Sequence, residues 1–415
     1  MNEVRNIIVG FEMGEKTSQI CYFDRTEGEP VSLSVIAGQS QYAFPTCISK
    51  KPGEAVYHYG VEAEYFAAHQ DEILIDRLLE RCLLEEPVQV EDQMVKPSSL
   101  AAIFLGQALG MLGANNLSKN ISGIMVTVPR LTRPLVENLR EAFQILQFPA
   151  GRCFLQTYDE SFYYYTISQK PEFWSRKVGL FIFEGDEVAF RCLDVNRQVR
   201  PAEAFVKAGK RAGLSLDKEQ RDVDFCKMIQ ESFGSEMYSG VFLVGSGFDR
   251  EWAVRSVPML CKNHRHVFYG NNLYCKGACY GAREKVEGRQ VKDLVYRGED
   301  IVTGMLGMEM LVSGVHTYYP LVEPGIHWYE AKKEFEILLE DTADLVFLAG
   351  EPKSAQLQRY SMSLPGLPHR PPKATRLRIS LEFESLSRIH IRVTDLGLGE
   401  LFPASGLEWN ETLVQ

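Results

Sequence analysis

The alternation of apolar and polar positions predicts an α/β domain in the first part of the chain. From Asn6 to Asp24 two apolar strands flank a turn bracketed by Gly10 and Gly14, which is typical of a β-hairpin. VGLFIFEG and VAFRCLDV predict a second hairpin across Gly185 and Asp186. Strand and helix units follow each hairpin, so the pattern predicts two related lobes with a cleft between them.

Helical spacing of apolar residues predicts the helices between these strands. DEILIDRLLERCLLEE is predicted as one helix, and SSLAAIFLGQALGMLGANNL as a buried helix with serine caps after Pro97. TRPLVENLREAFQILQF predicts an amphipathic helix capped by Thr132. VDFCKMIQESF predicts a helix before the buried strand VFLVGSGF, and we expect the next helix to begin between Asp249 and Arg255.

Past Arg283 the apolar period changes to two, which indicates an all-β module. FEILLE, LVFLAG, RLRISLEF and IHIRVTDL are separated by loops rich in Gly, Pro and Asp. We therefore predict an α/β domain at 1–290, with lobes at about 1–175 and about 176–290, a linker at 291–298 and a β-sandwich at 299–415. The apolar Val291, Leu294 and Val295 favour an interdomain strand over a free tether.

Composition narrows the functional classes. The 415 residues are 45% hydrophobic and carry a formal charge of -10, which disfavours nucleic acid and anionic membranes as partners. No leader-like segment precedes the first strand, and no apolar run reaches the roughly 18 residues of a membrane span, so we expect a cytoplasmic protein. The nine cysteines are expected to be reduced. Soft ligands cluster from Cys261 to Cys279, but their spacing fits no common zinc pattern, and no metal site is predicted.

The first hairpin contains residue types that suit a phosphate-binding loop. Gly10 and Gly14 let the backbone approach an anion. Lys16 either supplies a point charge for a phosphate or, as the simpler explanation, pairs with Glu12 or Glu15. Glu12 and Glu15 would repel a triphosphate unless a metal or Lys16 compensated them. The spacing alone favours a tight hairpin with Glu12 as a surface carboxylate at its tip, and metal-linked activation of water by Glu12 is the alternative.

A glycine turn follows the strand VFLVGSGF. Gly245, Ser246 and Gly247 either contact an adenosine or form a tight turn from strand to helix, because both structures need glycine. Gly185 in the second hairpin is the remaining candidate for a contact to nucleotide.

The order of these segments resembles the Hsp70 family of the actin-like ATPase superfamily over nearly the whole chain. GFEMG resembles the first phosphate loop, FIFEGDEVAF the second, and LVGSGFD the adenosine loop. YDESFYYYT and GACYGAR are similar to the two connecting helices, and VKDLVY resembles the interdomain linker. IVTGMLGMEML and RISLEFESLSRIHIRVTDLGLGE resemble the peptide-binding β-sandwich. The resemblance implies a two-lobed ATPase fold with RNase H-like lobes, ATP or ADP with Mg²⁺ as cofactor, and a peptide or protein partner.

Several positions depart from the family pattern. Glu12 stands where the family has aspartate, and Glu15 and Lys16 replace its loop threonines. Carboxylates at Glu184, Asp186 and Glu187 replace groups that cradle phosphate, so only Gly185 remains of the second loop. One subdomain is expected to be missing before VFLVGSGF, and no helical lid is expected after the β-sandwich.

The sequence therefore leaves two functional hypotheses. The first is a chaperone-related, Hsp70-like protein of a bacterial-type cytosol that binds a peptide or protein partner, with a degenerate nucleotide site and weak or no ATP hydrolysis. The second is a pseudo-ATPase scaffold or assembly protein that binds no nucleotide. The orientation of Glu184, Asp186 and Glu187 is expected to separate them, because carboxylates that point into the cleft exclude ATP.

Overall fold

Two six-stranded sheets form the framework of the first part of the chain. The computed structural model describes residues 6–36, 38–270, 272–288, 291, 293–340, 344–350 and 357–414. It divides into two units, Met1–Tyr296 and Arg297–Gln415. The first unit is mixed α/β and the second is rich in β-strands, as predicted.

The first lobe contains eleven strands among the described residues, six of which form its main sheet. They are β1 (Ile7–Met13), β2 (Thr17–Asp24), β3 (Glu29–Ser32), β4 (Phe44–Pro45), β5 (Ile48–Lys50), β6 (Tyr57–Tyr59), β7 (Ile73–Ile75), β8 (Val88–Val90), β9 (Gln93–Val95), β10 (Ile121–Val128) and β11 (Cys153–Thr157). The main sheet has the order β11-β10-β1-β2-β3, with β4 beside β2. Its hairpin is antiparallel, while β10 runs parallel to β1 and β11 parallel to β10.

The second lobe repeats this arrangement. Its strands are β12 (Lys177–Glu184), β13 (Glu187–Asn196), β14 (Ala202–Gly213), β15 (Tyr238–Gly245), β16 (His266–Tyr269) and β17 (Leu294–Tyr296). Their order is β16-β15-β12-β13-β14-β17. When β4 is left out, the first five strands of the two main sheets have the same order. In both sheets the first strand lies between the second and the fourth. This topology agrees with the prediction of a second hairpin and of two related α/β lobes.

Nine α-helices cover the sheets in the described part of the first unit. They are α1 (Gly60–His69), α2 (Leu78–Leu84), α3 (Pro97–Leu109), α4 (Leu117–Asn120), α5 (Arg133–Ile145), α6 (Tyr158–Ile167), α7 (Lys218–Phe233), α8 (Ser256–Leu260) and α9 (Leu273–Glu287). The helices α6 and α9 pack on each other, and both contribute to the core beneath the second sheet. Cysteines of α9 also lie in the core of the first lobe, so α9 joins the two lobes.

The structure corrects several predicted helix boundaries. Ile73 lies in β7, which pairs with β5, because the left-handed backbone of Arg77 separates this strand from α2. The helix α3 begins at Pro97 after Lys96, without a serine cap. The helix α8 begins at Ser256 and not near Asp249, since the buried carboxylate of Asp222 accepts hydrogen bonds from the amides of Arg255 and Ser256.

The linker region also differs in detail from the prediction. β17 pairs in parallel with β14, from Ala202 opposite Leu294 to Ala204 opposite Tyr296, so the first unit extends to Tyr296. Arg289, Gln290 and Lys292, which also fall near the predicted boundary, lie outside the described residues. The helix α7 is followed by β15 after the short connection 234–237, which leaves no room for a subdomain there. None of the described helices is long and apolar enough to cross a membrane.

The second unit consists of two four-stranded sheets. Its strands are β18 (Met305–Val312), β19 (Val315–Val322), β20 (Lys332–Leu339), β21 (Asp344–Gly350), β22 (Gln358–Ser363), β23 (Thr375–Ser385), β24 (Arg388–Asp395) and β25 (Glu408–Val414). The sheet orders are β19-β18-β21-β22 and β20-β23-β24-β25. Alternate residues of β23 and β24 are buried, which confirms the predicted period of two.

Candidate functional site

Gly10 lies inside β1, where it is packed closely against α9, and not in the turn of the hairpin. It pairs with Met125 and Cys21 in the sheet. A methyl group at this position would overlap the carbonyl oxygen of Cys275 and lie 2.5 Å from the amide nitrogen of Cys279. Glycine is therefore needed because α9 crosses β1 at the distance of backbone contact. The predicted role of Gly10 at the edge of the turn is wrong, since the hairpin turns only after Met13.

Glu12 also lies within β1, opposite Gln19 and Thr127, and is not a surface carboxylate at the hairpin tip. Its Oε2 atom is buried and has no hydrogen-bond partner among the described residues. Burial raises the pKa of Glu12 to about 8, although a hydrogen bond from the Tyr158 hydroxyl lowers it. The carboxyl group is therefore mostly protonated at neutral pH. Successive side chains of a strand point to opposite faces of the sheet. The apolar residues around Glu12 lie on both faces, so the periodicity of this short strand did not show that Glu12 points inward.

Two stacked tyrosines lie next to Glu12. The rings of Tyr158 in α6 and Tyr274 in α9 are 4.1 Å apart at their centroids, with 7° between their planes. Burial raises the pKa of Tyr274 well above its usual value, and the carboxylates of Asp159, Glu12 and Glu184 raise it further. Glu12 belongs to the first lobe and Glu184 to the second, so carboxyl groups of both predicted phosphate loops raise the pKa of this phenol.

Gly14 and Lys16 occupy the turn of the first hairpin, as predicted. The Gly14 amide donates to the Thr17 carbonyl at 3.0 Å, and the Tyr158 hydroxyl lies 3.1 Å from the position that a Gly14 side chain would take. Lys16 is exposed, and its carbonyl accepts a hydrogen bond from the Thr46 amide at 2.9 Å. The amide of Gly14 is thus committed to closing the turn.

Gly185, Gly245 and Gly247 of the second lobe lie close together, which the hypothesis of a nucleotide site requires. Their backbones contact one another and the side chain of Arg221. Gly245 has a φ of +99°, and a side chain at Gly247 would overlap the Gly185 carbonyl. The Arg221 guanidinium donates to the carbonyl oxygens of Gly185 at 2.5 Å and of Gly247 at 3.1 Å. Ser246, between the glycines, is exposed. Arg221 is only 8% exposed. Its two hydrogen bonds hold the turn after β15 against the second hairpin.

The carboxylates of the second hairpin point into solvent. The side chains of Glu184 and Glu187 are 69% and 52% exposed, and both pair with Arg211 of β14. Asp186 at the turn is exposed as well, so none of the three carboxylates is buried. Arg191 of β13, in contrast, bonds Asp159 at the start of α6, with 3.2 Å between Nε and Oδ1. This ion pair joins the second lobe to the first helix that connects the lobes.

Cys275 and Cys279 are packing residues on the inner face of α9. Their thiols donate to the carbonyl oxygens of Gly10 at 3.4 Å and Ile8 at 3.7 Å. Burial raises the pKa of both thiols well above the usual value, so they remain protonated. Among the described residues, no group of three or more His, Cys, Asp or Glu side chains is placed to hold a metal ion.

The sequence did not predict the contacts that Tyr158, Tyr274 and Arg221 make around the two hairpin turns. Tyr158 begins the segment assigned to the first connecting helix, and Tyr274 lies just before the segment assigned to the second, but nothing in their spacing indicates that their rings meet. Arg221 precedes the apolar residues of α7, and its position in the sequence is typical of a charged side chain that faces solvent. The only available signal is that a polar residue at this position follows the helical period of the buried Phe225 and Met228.

Family models match both units. A model described as a family of unknown function (DUF5716), C-terminal, matches residues 29–299. A model described as a domain of unknown function (DUF8552) matches residues 302–414. No curated protein matches the chain. Since the first match spans more than half of its length, the chain belongs to the family of unknown function DUF5716, through that family's C-terminal region.

Proposed function

We propose that this protein is a chaperone-related, Hsp70-like pseudo-ATPase that binds a peptide or protein partner and does not hydrolyse ATP. The observation that carries the proposal is the stack of Tyr158 on Tyr274 beside the protonated Glu12, between the two predicted phosphate loops. The repeated strand order of the two sheets supports an actin-like framework. The short connection from α7 to β15 is consistent with an Hsp70-like domain that lacks one subdomain.

The absence of hydrolysis follows from the chemistry around Glu12. Phosphoryl transfer depends on positioned positive charge, a metal and a base. A carboxyl group with a pKa of about 8 is mostly neutral at neutral pH and attracts Mg²⁺ less than an ordinary carboxylate does. The Gly14 amide closes its own turn, and the guanidinium of Arg221 is directed at backbone carbonyls. The groups that would cradle phosphate are thus committed to other contacts.

The second unit offers a surface for the partner. The hairpin of β18 and β19 exposes large apolar side chains, and β19 lies at the edge of its sheet. Leu311, Val312, Val315 and Tyr319 are 38–62% exposed. An edge strand can accept an extended peptide through backbone hydrogen bonds, while apolar side chains select its sequence. This surface fits an unfolded, leucine-rich segment.

Fluorescence anisotropy with a labelled leucine-rich heptapeptide tests this binding surface. The double variant Val315→Lys, Tyr319→Lys should weaken the affinity at least tenfold, because two charges would replace the apolar contact. The matched control is Leu401→Lys, which changes an 87% exposed side chain outside this hairpin and should leave the affinity within twofold. Equal affinities of the wild type and the double variant would refute the assignment of this surface.

The second candidate is an assembly scaffold that binds neither nucleotide nor unfolded peptide. The ion pair of Arg191 with Asp159 favours it, because this bond ties the second lobe to α6 and opposes the lobe movement of a nucleotide-driven chaperone. The peptide titration separates the two candidates. A scaffold gives no saturable peptide binding, whereas the chaperone-related protein binds the heptapeptide without nucleotide.

A further inference from the structure

A cavity of about 510 Å³ lies at the N-terminal end of α9, apart from the predicted nucleotide residues. None of Gly10, Glu12, Gly14, Lys16, Gly185, Gly245, Ser246 and Gly247 lines it. β2 and residues 40–43 of the first lobe form one side, and β15, β16 and the start of α9 form the other. Its volume lies within the range of about 300–1,000 Å³ that is usual for small-molecule sites.

Aromatic rings form one wall of the cavity. Phe242 and Phe268 stack with 5.0 Å between their centroids and 21° between their planes. Tyr165 of α6 meets Phe242 edge-on at 5.6 Å. Tyr269 also lines the cavity and is 48% exposed. Such a wall offers flat apolar surface to a planar ligand.

The cavity contains one charged residue among the described residues that line it, and that residue is basic. Lys276 is half-buried in the first turn of α9, and no described carboxylate lies within ion-pair distance of its ammonium group. This is unusual in a protein with a formal charge of -10. A half-buried ammonium group without a counter-ion favours an anion beside it.

The start of α9 adds to this preference. The Asn272 side chain donates to the Ser32 hydroxyl at 3.0 Å and does not cap the first amides of the helix. These amides and the helix dipole favour negative charge at the same end of the cavity as Lys276.

We propose that this cavity binds a small planar organic anion, with its ring against Tyr165, Phe242 and Phe268 and its acidic group beside Lys276. An aromatic carboxylate, sulfonate or phosphate has this chemistry. The proposal does not depend on peptide binding by the second unit. Since α9 connects the two lobes, such a ligand would contact both lobes at once.

Fluorescence titration with 8-anilinonaphthalene-1-sulfonate tests the site, because this probe is aromatic and anionic. The wild type should bind one equivalent with saturable enhancement. Lys276→Met should weaken this binding at least tenfold while keeping the aliphatic stem. The matched control is Lys227→Met, which removes the same charge from an exposed position on α7 and should change the affinity less than twofold.

A second variant tests the cavity independently of charge. Ala43→Phe places a ring in the cavity and should abolish the one-equivalent binding, whereas Ala68→Phe on the exposed face of α1 should not. The circular dichroism spectrum of each variant establishes that it is folded. Equal affinity in Lys276→Met and the wild type would overturn the proposal. Absence of saturable binding, or equal losses in both lysine variants, would also overturn it.

Discussion

The ring of Tyr158 stacks on that of Tyr274 beside Glu12, with 4.1 Å between the two ring centroids and 7° between their planes. This arrangement places three side chains of the protein where the sequence predicts the phosphates of a nucleotide. It also joins β1 to the first turns of α6 and α9. We propose that this region stabilises the fold and does not bind nucleotide.

The protonation of Glu12 predicts a pH dependence of stability. The folded-state pKa of about 8 is higher than the ordinary value of 4.5, so this contribution is fully present below pH 4.5 and is lost as pH rises through 8. Chemical denaturation between about pH 5 and about pH 8.5 should show a falling free energy of unfolding, and Glu12→Gln should flatten this fall. Glu15→Gln, at an exposed position of the turn, is the control and should keep the wild-type slope. Parallel profiles for Glu12→Gln and the wild type would contradict the buried, neutral carboxyl group.

The contact of β1 with α9 predicts the effect of a single methyl group. Gly10→Ala should lower the free energy of unfolding by about 2–4 kcal/mol, because its side chain meets backbone atoms of Cys275 and Cys279. Gly110→Ala is the matched control, since nothing lies within 4 Å of its added carbon and its φ is -57°. The control should be neutral or more stable by about 0.5–1 kcal/mol. Urea denaturation measures both, and an unaffected Gly10→Ala variant would show that α9 lies farther from β1.

Arg221 is predicted to be structural. Its loss leaves two carbonyl oxygens without their donor and removes a guanidinium that lies 5.1 Å from the Trp252 ring centroid. Arg221→Met should destabilise the protein by about 2–3 kcal/mol, and lysine should not rescue it because an ammonium group lacks the planar fork. Arg250→Met, at an exposed position, should change stability by less than about 0.5 kcal/mol. Thermal unfolding followed by circular dichroism compares the stabilities of these variants. Full rescue by Arg221→Lys would contradict the role assigned to the two carbonyl contacts.

The buried ion pair of the second unit gives a further prediction. Both terminal nitrogens of the Arg370 guanidinium donate to the Asp395 carboxylate at 2.8 Å, and this holds the pKa of Asp395 well below its usual range. Asp395→Asn should cost about 3–5 kcal/mol, since it leaves a buried guanidinium without its partner. Glu336→Gln breaks the exposed pair with Arg378 and should cost less than about 1 kcal/mol. Denaturation followed by the fluorescence of Trp409, which donates to the Pro365 carbonyl, distinguishes them. Equal stabilities of the two variants would contradict the special role of the buried pair.

The sequence predicted much of the fold because strand and helix periods are local properties. The hairpin across Gly185, the capped helix beginning after Thr132 and the alternation along β23 all follow from such patterns. The site was harder to predict, because it depends on contacts between distant segments. Gly10 matched the pattern of a phosphate loop. In the structure, its missing side chain allows the close approach of α9, which follows more than 260 residues later in the chain. The inward orientation of Glu12 and the meeting of Tyr158 with Tyr274 leave no periodic signal.

Titration with ATP and with ADP, with and without Mg²⁺, tests whether the region around Tyr158 and Tyr274 binds nucleotide. Thermal unfolding and calorimetry of the wild-type protein measure binding at millimolar nucleotide. A ligand at about 100 times its dissociation constant stabilises a protein by roughly 2.7 kcal/mol, so binding at this level is readily observed. The stacked tyrosines beside the neutral Glu12 predict no shift in the unfolding temperature and no binding heat. A saturable, Mg²⁺-dependent shift that Tyr274→Ala alters would contradict it.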